Sequence, residues 1–260
     1  MFDFHMHSTV SFDGKSAAED MVAAAAQMGL KEICFTDHLD YDPLGMNTDF
    51  IFDTEEYNAA YDRLCHPELK IRRGMEFGML PDNSDTLQAD LQRREFDFVI
   101  GSVHFAENVD IYFPPFWEGK TVMEAEHRYF EEVLACVQAH DEFDVLGHLT
   151  YAGKSASHPT KKPVEYQNHK EIVDAIFREL IRKGKGVEVN TSGKDRCGAF
   201  LPDAAYLRRF KELGGEIVTV GSDSHDDVRV GQYCFEACQM VKEIFGYVCT
   251  FEHRTPIFHK

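Results

Sequence analysis

The feature that most limits what this chain can become is a rhythm: a short β-rich run, a polar turn, then a longer stretch with helical spacing, repeated from end to end. No Pro/Ser-rich linker or low-complexity tract interrupts it. Alternating strands and helices of this kind build an α/β fold, and 260 residues is the length expected of one α/β barrel. We therefore expect one domain over residues 1–260. Strands are predicted at 2–5, 33–36, 70–75, 96–100, 144–146, 187–189 and 217–220, with 247–251 as a last strand or closing arm. Helices are predicted at about 17–28, 55–65, 84–94, 122–140, 165–183, for ten residues after Pro202, and at 228–245. Ser16 and Glu19 stand in capping-box spacing with Gly29 as a stop, and a long loop carrying Pro43 and Gly45 precedes the second helix.

No apolar run is long enough to cross a bilayer and no basic-then-apolar leader follows Met1, so a soluble, cytoplasmic protein that does not engage membranes is expected. Seven Cys, an odd number without a CxxC pair, argue for reduced and mostly buried thiols, with Cys234 and Cys238 sharing one helix face. The formal charge of −18 opposes the broad positive surface that nucleic acid requires. An acidic protein that handles phosphate needs local positive charge, which bound metal ions can supply.

Nearly every expected strand runs straight into a residue that can bind a metal. His5 and His7 close the first, His38 follows the second in Thr36-Asp37-His38, and Glu76 the third. His104 follows the fourth, His148 the fifth in Leu146-Gly147-His148, and Asp223 and His225 the seventh in Gly221-Ser222-Asp223-Ser224-His225. In a parallel barrel all these strand ends meet on one face. His-x-His by itself is equally a polar surface pair, and a lone His38, His104 or His148 is more often simply hydrogen-bonded. Their succession at strand ends is what points to a metal centre, and Glu76 and Asp223 add the negative charge that neutral imidazoles lack. The other seven His (66, 127, 140, 158, 169, 253 and 259) are read as surface residues. No GxSxG elbow, Walker loop or HExxH helix is present.

In this order, His5-x-His7, Thr36-Asp37-His38, Gly74-Met75-Glu76, Ser102-Val103-His104, Gly147-His148 and the Gly221–His225 motif resemble the PHP (polymerase and histidinol phosphatase) superfamily over nearly the whole chain. Asn190-Thr191-Ser192-Gly193 and Phe251-Glu252-His253-Arg254 look like its histidinol-phosphatase branch. The resemblance implies an α/β fold of PHP type, a distorted (β/α)7 TIM-like barrel with three divalent metal ions drawn from Zn, Mn and Fe. It also implies hydrolysis of L-histidinol phosphate to L-histidinol and phosphate, in histidine biosynthesis, by a metal-bridging hydroxide. Carried over by position, His5, His7, Glu76 and Asp223 would hold one metal, Glu76, His104 and His148 a second with Glu76 bridging, and Asp13, His38 and His225 a third. Asp13 stands where other members have His, which favours Mn or Fe there. Read alone, Asp13 is a turn residue before Gly14. Glu76, Asp223 and His225 are the residues expected to carry catalysis.

For the substrate, Arg196, just past the sixth strand, offers a bidentate phosphate contact, although an ordinary surface Arg reads the same; Arg229 and Lys154 are weaker candidates. Two rival activities remain. Another PHP enzyme would act on nucleotides or other small phosphoesters. An amidohydrolase-type barrel also opens on HxH, but typically bridges its metals through Lys or Glu after strand four and places a lone Asp after strand eight.

Overall fold

In the computed structural model, which describes residues 1–45 and 50–260, the short apolar runs pair in parallel and the amphipathic runs pack outside them. Positions 46–49, inside the long loop expected before the second helix, lie outside the described residues. The parallel strands are β1 (Phe2–Met6), β2 (Glu32–Phe35), β3 (His38–Asp40), β4 (Lys70–Gly78), β5 (Phe98–Ser102) and, after a small hairpin of β6 (Phe105–Ala106) and β7 (Val109–Asp110), β8 (Val145–Leu146), β9 (Gly186–Asn190) and β10 (Val218–Gly221). Hydrogen bonding runs β1-β2-β4-β5-β8-β9-β10, with β3 also on β4. A parallel bridge from Met6 to Ser224 joins the two ends, with His7 N–H donating to Ser224 O at 2.8 Å and Asp223 N–H to His5 O at 2.7 Å. The result is a nearly closed seven-strand barrel, as the sequence leads one to expect.

The helices are α1 (Ala18–Gln27), α2 (Thr54–Tyr61), α3 (Ser84–Leu91), α4 (Pro114–Trp117), α5 (Val122–Ala139), α6 (Lys170–Arg182), α7 (Gly193–Arg196), α8 (Ala204–Glu212) and α9 (Cys234–Phe245). Helix α6 shows why they lie where they do. Val173, Ile176, Phe177 and Leu180 recur at helical spacing and are all buried, each contributing roughly 1.5–3 kcal/mol by leaving water. Among the described residues no helix is long and apolar enough to cross a membrane.

A second, smaller core fills the barrel's interior with Phe4, Cys34, Phe98, Ile100 and Val145, and Phe251 closes it. Phe251 belongs to β11 (Val248–Glu252), which pairs with β12 (Thr255–His259) in an antiparallel hairpin under the N-terminal strand ends. At its turn, Arg254 donates to Asp144 Oδ2 and to Glu142 O, each at 2.5 Å. The expected closing arm is therefore a plug at the end of the barrel where Asp144 and Glu142 lie.

Several local expectations are corrected. Helix α1 is capped by Ala17 without a side-chain bond, because Ser16 Oγ donates to Asp227 instead; the capping box is realised at Thr121 and Glu124 of α5. The expected helices at 165–183 and 228–245 begin later, at Lys170 and Cys234, each preceded by a short 3-10 turn. All seven cysteines are free, and all but Cys65 are buried. His140, His158 and His169, expected at the surface, are buried. Each has found a partner that sequence distance hid: Leu80 O for His140, and the two oxygens of buried Glu126 for His158 and His169.

Candidate metal centre

Two irregularities in the strands aim the side chains. Phe2 and Asp3 pair with Glu32 and Ile33, but Met6 pairs with Phe35, so β1 carries one extra residue. Such a bulge puts neighbours on the same face. Phe4 joins the lower core while His5 and His7 reach the barrel's open end. Strand β3 continues β2 against β4 in one register, which sets His38 directly beside Glu76. His38 thus opens a further short strand and does not close the second one. The Thr36-Asp37 break is held by Asp37, which accepts from Ser8 N–H at 2.9 Å, from Ser11 Oγ at 3.0 Å and from Tyr61. Burial pushes the Asp37 carboxyl up to about 6.

Glu76 is the hub. Its Oε2 lies 3.2 Å from His5 Nε2, 3.5 Å from His7 Nε2 and 3.1 Å from His38 Nδ1. Its Oε1 lies 2.8 Å from His148 Nε2 and 3.4 Å from His104 Nε2, and accepts from Ser102 Oγ at 2.6 Å. Asp223 Oδ1 stands 3.7 Å from His5 Nε2 and 3.5 Å from His7 Nε2. Asp13 Oδ2 is 2.9 Å from His225 Nε2 and 3.8 Å from His38 Nε2. All nine residues singled out as ligands thus fall into one connected cluster. Among the described residues four subsets bring donor atoms within 4.8 Å of one another: His5-His7-Glu76, Glu76-His104-His148, His7-His38-His225, and His38-Asp40-His104.

Burial alone would raise Glu76 and Asp223, yet surrounding charge overrides it. Burial is outweighed at Glu76 by His5, His38 and His104, and at Asp223 by Lys154 and His5, so both carboxyls sit well below their usual range. His7, pressed down by burial and by His38 and His225, stays neutral. Ionised carboxylates beside imidazole nitrogens are a donor set suited to divalent cations. An orphan points the same way: Glu76 Oε2 is buried with no hydrogen-bond donor, although three imidazole nitrogens lie within 3.5 Å. Asp223 holds a left-handed backbone, φ 55°, a conformation Asp tolerates better than most residues and one that collects at functional sites.

Nothing in the sequence singles out Glu188 or Asp40, and Lys154 reads there only as a weaker substrate candidate, not as a partner of Asp223. Glu188 sits 2.6 Å from His5 Nδ1, and Asp40 sits 2.8 Å from His104 Nδ1. Lys154 donates to Asp223 Oδ2 and, at 3.0 Å, to Ser192 Oγ. No spacing rule marks these residues, because each is defined by a partner at least 38 positions away.

Above the cluster opens a cavity of about 680 Å³. Its floor holds Asp13, His38, Glu76, His104, His148, Asp223 and His225, and Lys15, Lys154, Arg196 and Arg229 line its walls. Arg196 is exposed on this wall, whereas Arg229 is paired with Asp195 at 3.0 Å. Phe12 and Phe50, in ring contact, face the cavity together with Phe105, Tyr112, Phe113 and the carboxylate of Asp110. The walls therefore offer both cations for an anionic group and rings with a carboxylate for a flat or cationic one.

The PHP domain family matches residues 3–192. The histidinol-phosphatase of Lactococcus lactis subsp. lactis is 34% identical over 96% of this chain and 93% of its own length. The probable histidinol-phosphatase of Clostridium acetobutylicum is 28% identical over 98% of each. A crystal structure of the Lactococcus lactis histidinol phosphate phosphatase, complexed with Zn, L-histidinol and phosphate, superimposes with a TM-score of 0.85 at 29% identity, covering 98% of each chain. This chain belongs to the PHP domain family and, within it, to the histidinol-phosphatase branch.

Proposed function

We propose that this protein is a phosphoric monoester hydrolase that converts L-histidinol phosphate to L-histidinol and phosphate in histidine biosynthesis, with residues 1–260 working as one unit. The carrying observation is the gathering of five imidazoles within 3.5 Å of the Glu76 carboxylate, at the floor of a cavity with cationic walls. The relatives' names and the ligands of the Lactococcus structure support the same substrate.

In the grouping expected from the resemblance, three divalent ions would be held by His5, His7, Glu76 and Asp223, by Glu76, His104 and His148, and by Asp13, His38 and His225; the sets His5-His7-Glu76 and Glu76-His104-His148, each with donor atoms within 4.8 Å of one another, support the first two. Zn, Mn and Fe are the candidates, with the Asp13 set the least zinc-selective. When bound, such ions acidify water to the neutral range and offset the charge of a phosphoryl group. Around them the chain's own groups have separate tasks. Asp223 stays ionised with one oxygen held by Lys154. Lys154 and Arg196 reach the cavity where a phosphate's outer oxygens would lie, and Arg196 suits a bidentate contact. Asp110 and the facing rings suit the cationic amine and imidazole of histidinol.

The test is a panel of phosphomonoesters assayed for phosphate release with defined Zn, Mn or Fe. Histidinol phosphate should give a higher kcat/KM than an aryl phosphate or a nucleoside monophosphate. Equal efficiency on all three sinks the substrate assignment, and no release with any metal sinks the phosphatase.

A further inference from the structure

Of the strands along the barrel path, β9 runs into Thr191 and Ser192 where its neighbours run into ligand-type residues, and its inward positions hold Glu188 and Asn190. We propose that Glu188 is a positioning residue of the metal centre, fixing the ring of His5 and the backbone of His148 so that both present Nε2 to Glu76. The proposal rests on the metal-centre reading above.

Glu188 is 1% exposed and does not line the cavity. A carboxylate survives there only if its oxygens find donors, and both do. Oε1 is 2.6 Å from His5 Nδ1, while Oε2 accepts from His148 N–H at 2.8 Å and from Asn190 Nδ2 at 3.3 Å. The first two donors belong to candidate ligands reached from different strands. With Nδ1–H donating to Oε1, the proton His5 gives up to a bound cation is the one on Nε2, which faces Glu76 Oε2 at 3.2 Å and His7 Nε2 at 3.1 Å. Glu188 itself stands behind the ring, on the side away from the cluster. Room for the pair comes from Gly221, where a Cβ would lie 2.2 Å from His5 Cβ and 2.6 Å from Glu188 Oε1. The opening glycine of the Gly221–His225 motif thus serves the same arrangement.

The experiment loads the protein with Zn(II), dialyses it against a graded chelator series and counts bound zinc by elemental analysis. Glu188→Gln keeps the shape but turns an amide N–H towards one of two donors. It should release at least one ion at roughly 10- to 100-fold lower chelator concentration than the parent. Any fall in the melting temperature of its metal-free form, from the mismatched N–H, should be smaller than the fall in the zinc-loaded form. Parent-like zinc retention overturns the proposal, and so does a lowered metal-free melting temperature with retention unchanged, which assigns Glu188 to the scaffold alone. Should the variant fail to fold, nitrogen NMR of the zinc-loaded parent with labelled histidine decides: His5 must carry its proton on Nδ1, and a proton on Nε2 overturns the proposal. No substrate enters either measurement, so failure on histidinol phosphate leaves the result standing, whereas a parent that binds no zinc overturns both readings.

Discussion

Replacing Gly221 with alanine should damage stability and activity together, and the size of the effect can be worked out from the contacts. The added Cβ would meet His5 Cβ at 2.2 Å, Glu188 Oε1 at 2.6 Å and His5 N at 3.0 Å. Carbon atoms in ordinary contact stay about 3.5–4.0 Å apart, so the overlap at His5 is about 1.5 Å. His5 cannot step aside alone, because its carbonyl accepts from Asp223 N–H at 2.7 Å and its ring is held by Glu188. Overpacking costs about 1–3 kcal/mol, and obstruction by backbone-bound atoms puts this case near 3 kcal/mol. At about 2–4 °C per kcal/mol for a chain of this size, the melting temperature should fall by about 6–12 °C. A displacement of His5 of about 1 Å should also lower phosphate release on the order of 100-fold. Gly119→Ala is the control: φ is 73° and nothing lies within 4 Å, so only backbone strain of about 1–2 kcal/mol applies and activity should persist. Thermal unfolding and phosphate release on both variants are the measurements. A Gly221→Ala protein that melts within about 2 °C of its parent with full turnover would refute the packing argument.

Other perturbations separate the site from its scaffold. His225→Ala should cut turnover by about 100-fold or more while thermal unfolding stays near the parent's, since this side chain is 23% exposed and packs little core; full activity in the variant, or in chelated protein, counts against the metal centre. Arg254→Ala should remove two bonds from the barrel plug and strip Asp144 of its cation, costing about 2 kcal/mol in denaturant unfolding with kcat unchanged, and a loss of activity instead would assign the plug a direct role. Glu126 predicts a pH effect: burial pushes its carboxyl up, but bonds from His158 and His169 outweigh burial and hold it below the ordinary 4.5. Its stabilisation is then complete above about pH 4.5 and is lost as pH falls through the lower folded value, so Glu126→Gln should flatten that acid limb in urea titrations; an unchanged limb discards the idea.

Much of the site was legible because its chemistry is carried by residue type at fixed places. His104, His148 and Asp223 follow a strand and His5 and Glu76 lie near the C-terminal end of theirs, and a parallel barrel brings such positions together. The same reading misjudged His140, His158 and His169. Nothing local distinguishes a surface histidine in a loop from one that meets a buried carboxylate contributed by another helix, as His158 and His169 meet Glu126. Ser16 misled in the same way: its hydroxyl satisfies the spacing of a cap, but Asp227, remote in sequence, competes for it and wins.

The chain alone determined the alternation of strand and helix, and with it which residues would ring one mouth of the barrel. Periodicity and side-chain chemistry are local properties, readable within a few residues. Only the tertiary structure decided how those residues face one another. The extra residue in β1 lets His5 and His7 turn inward above Phe4, the register of β3 on β4 sets His38 against Glu76, and Glu188 comes to rest behind His5 from 183 positions away. Register and orientation depend on which strands lie side by side, and no single segment contains that information.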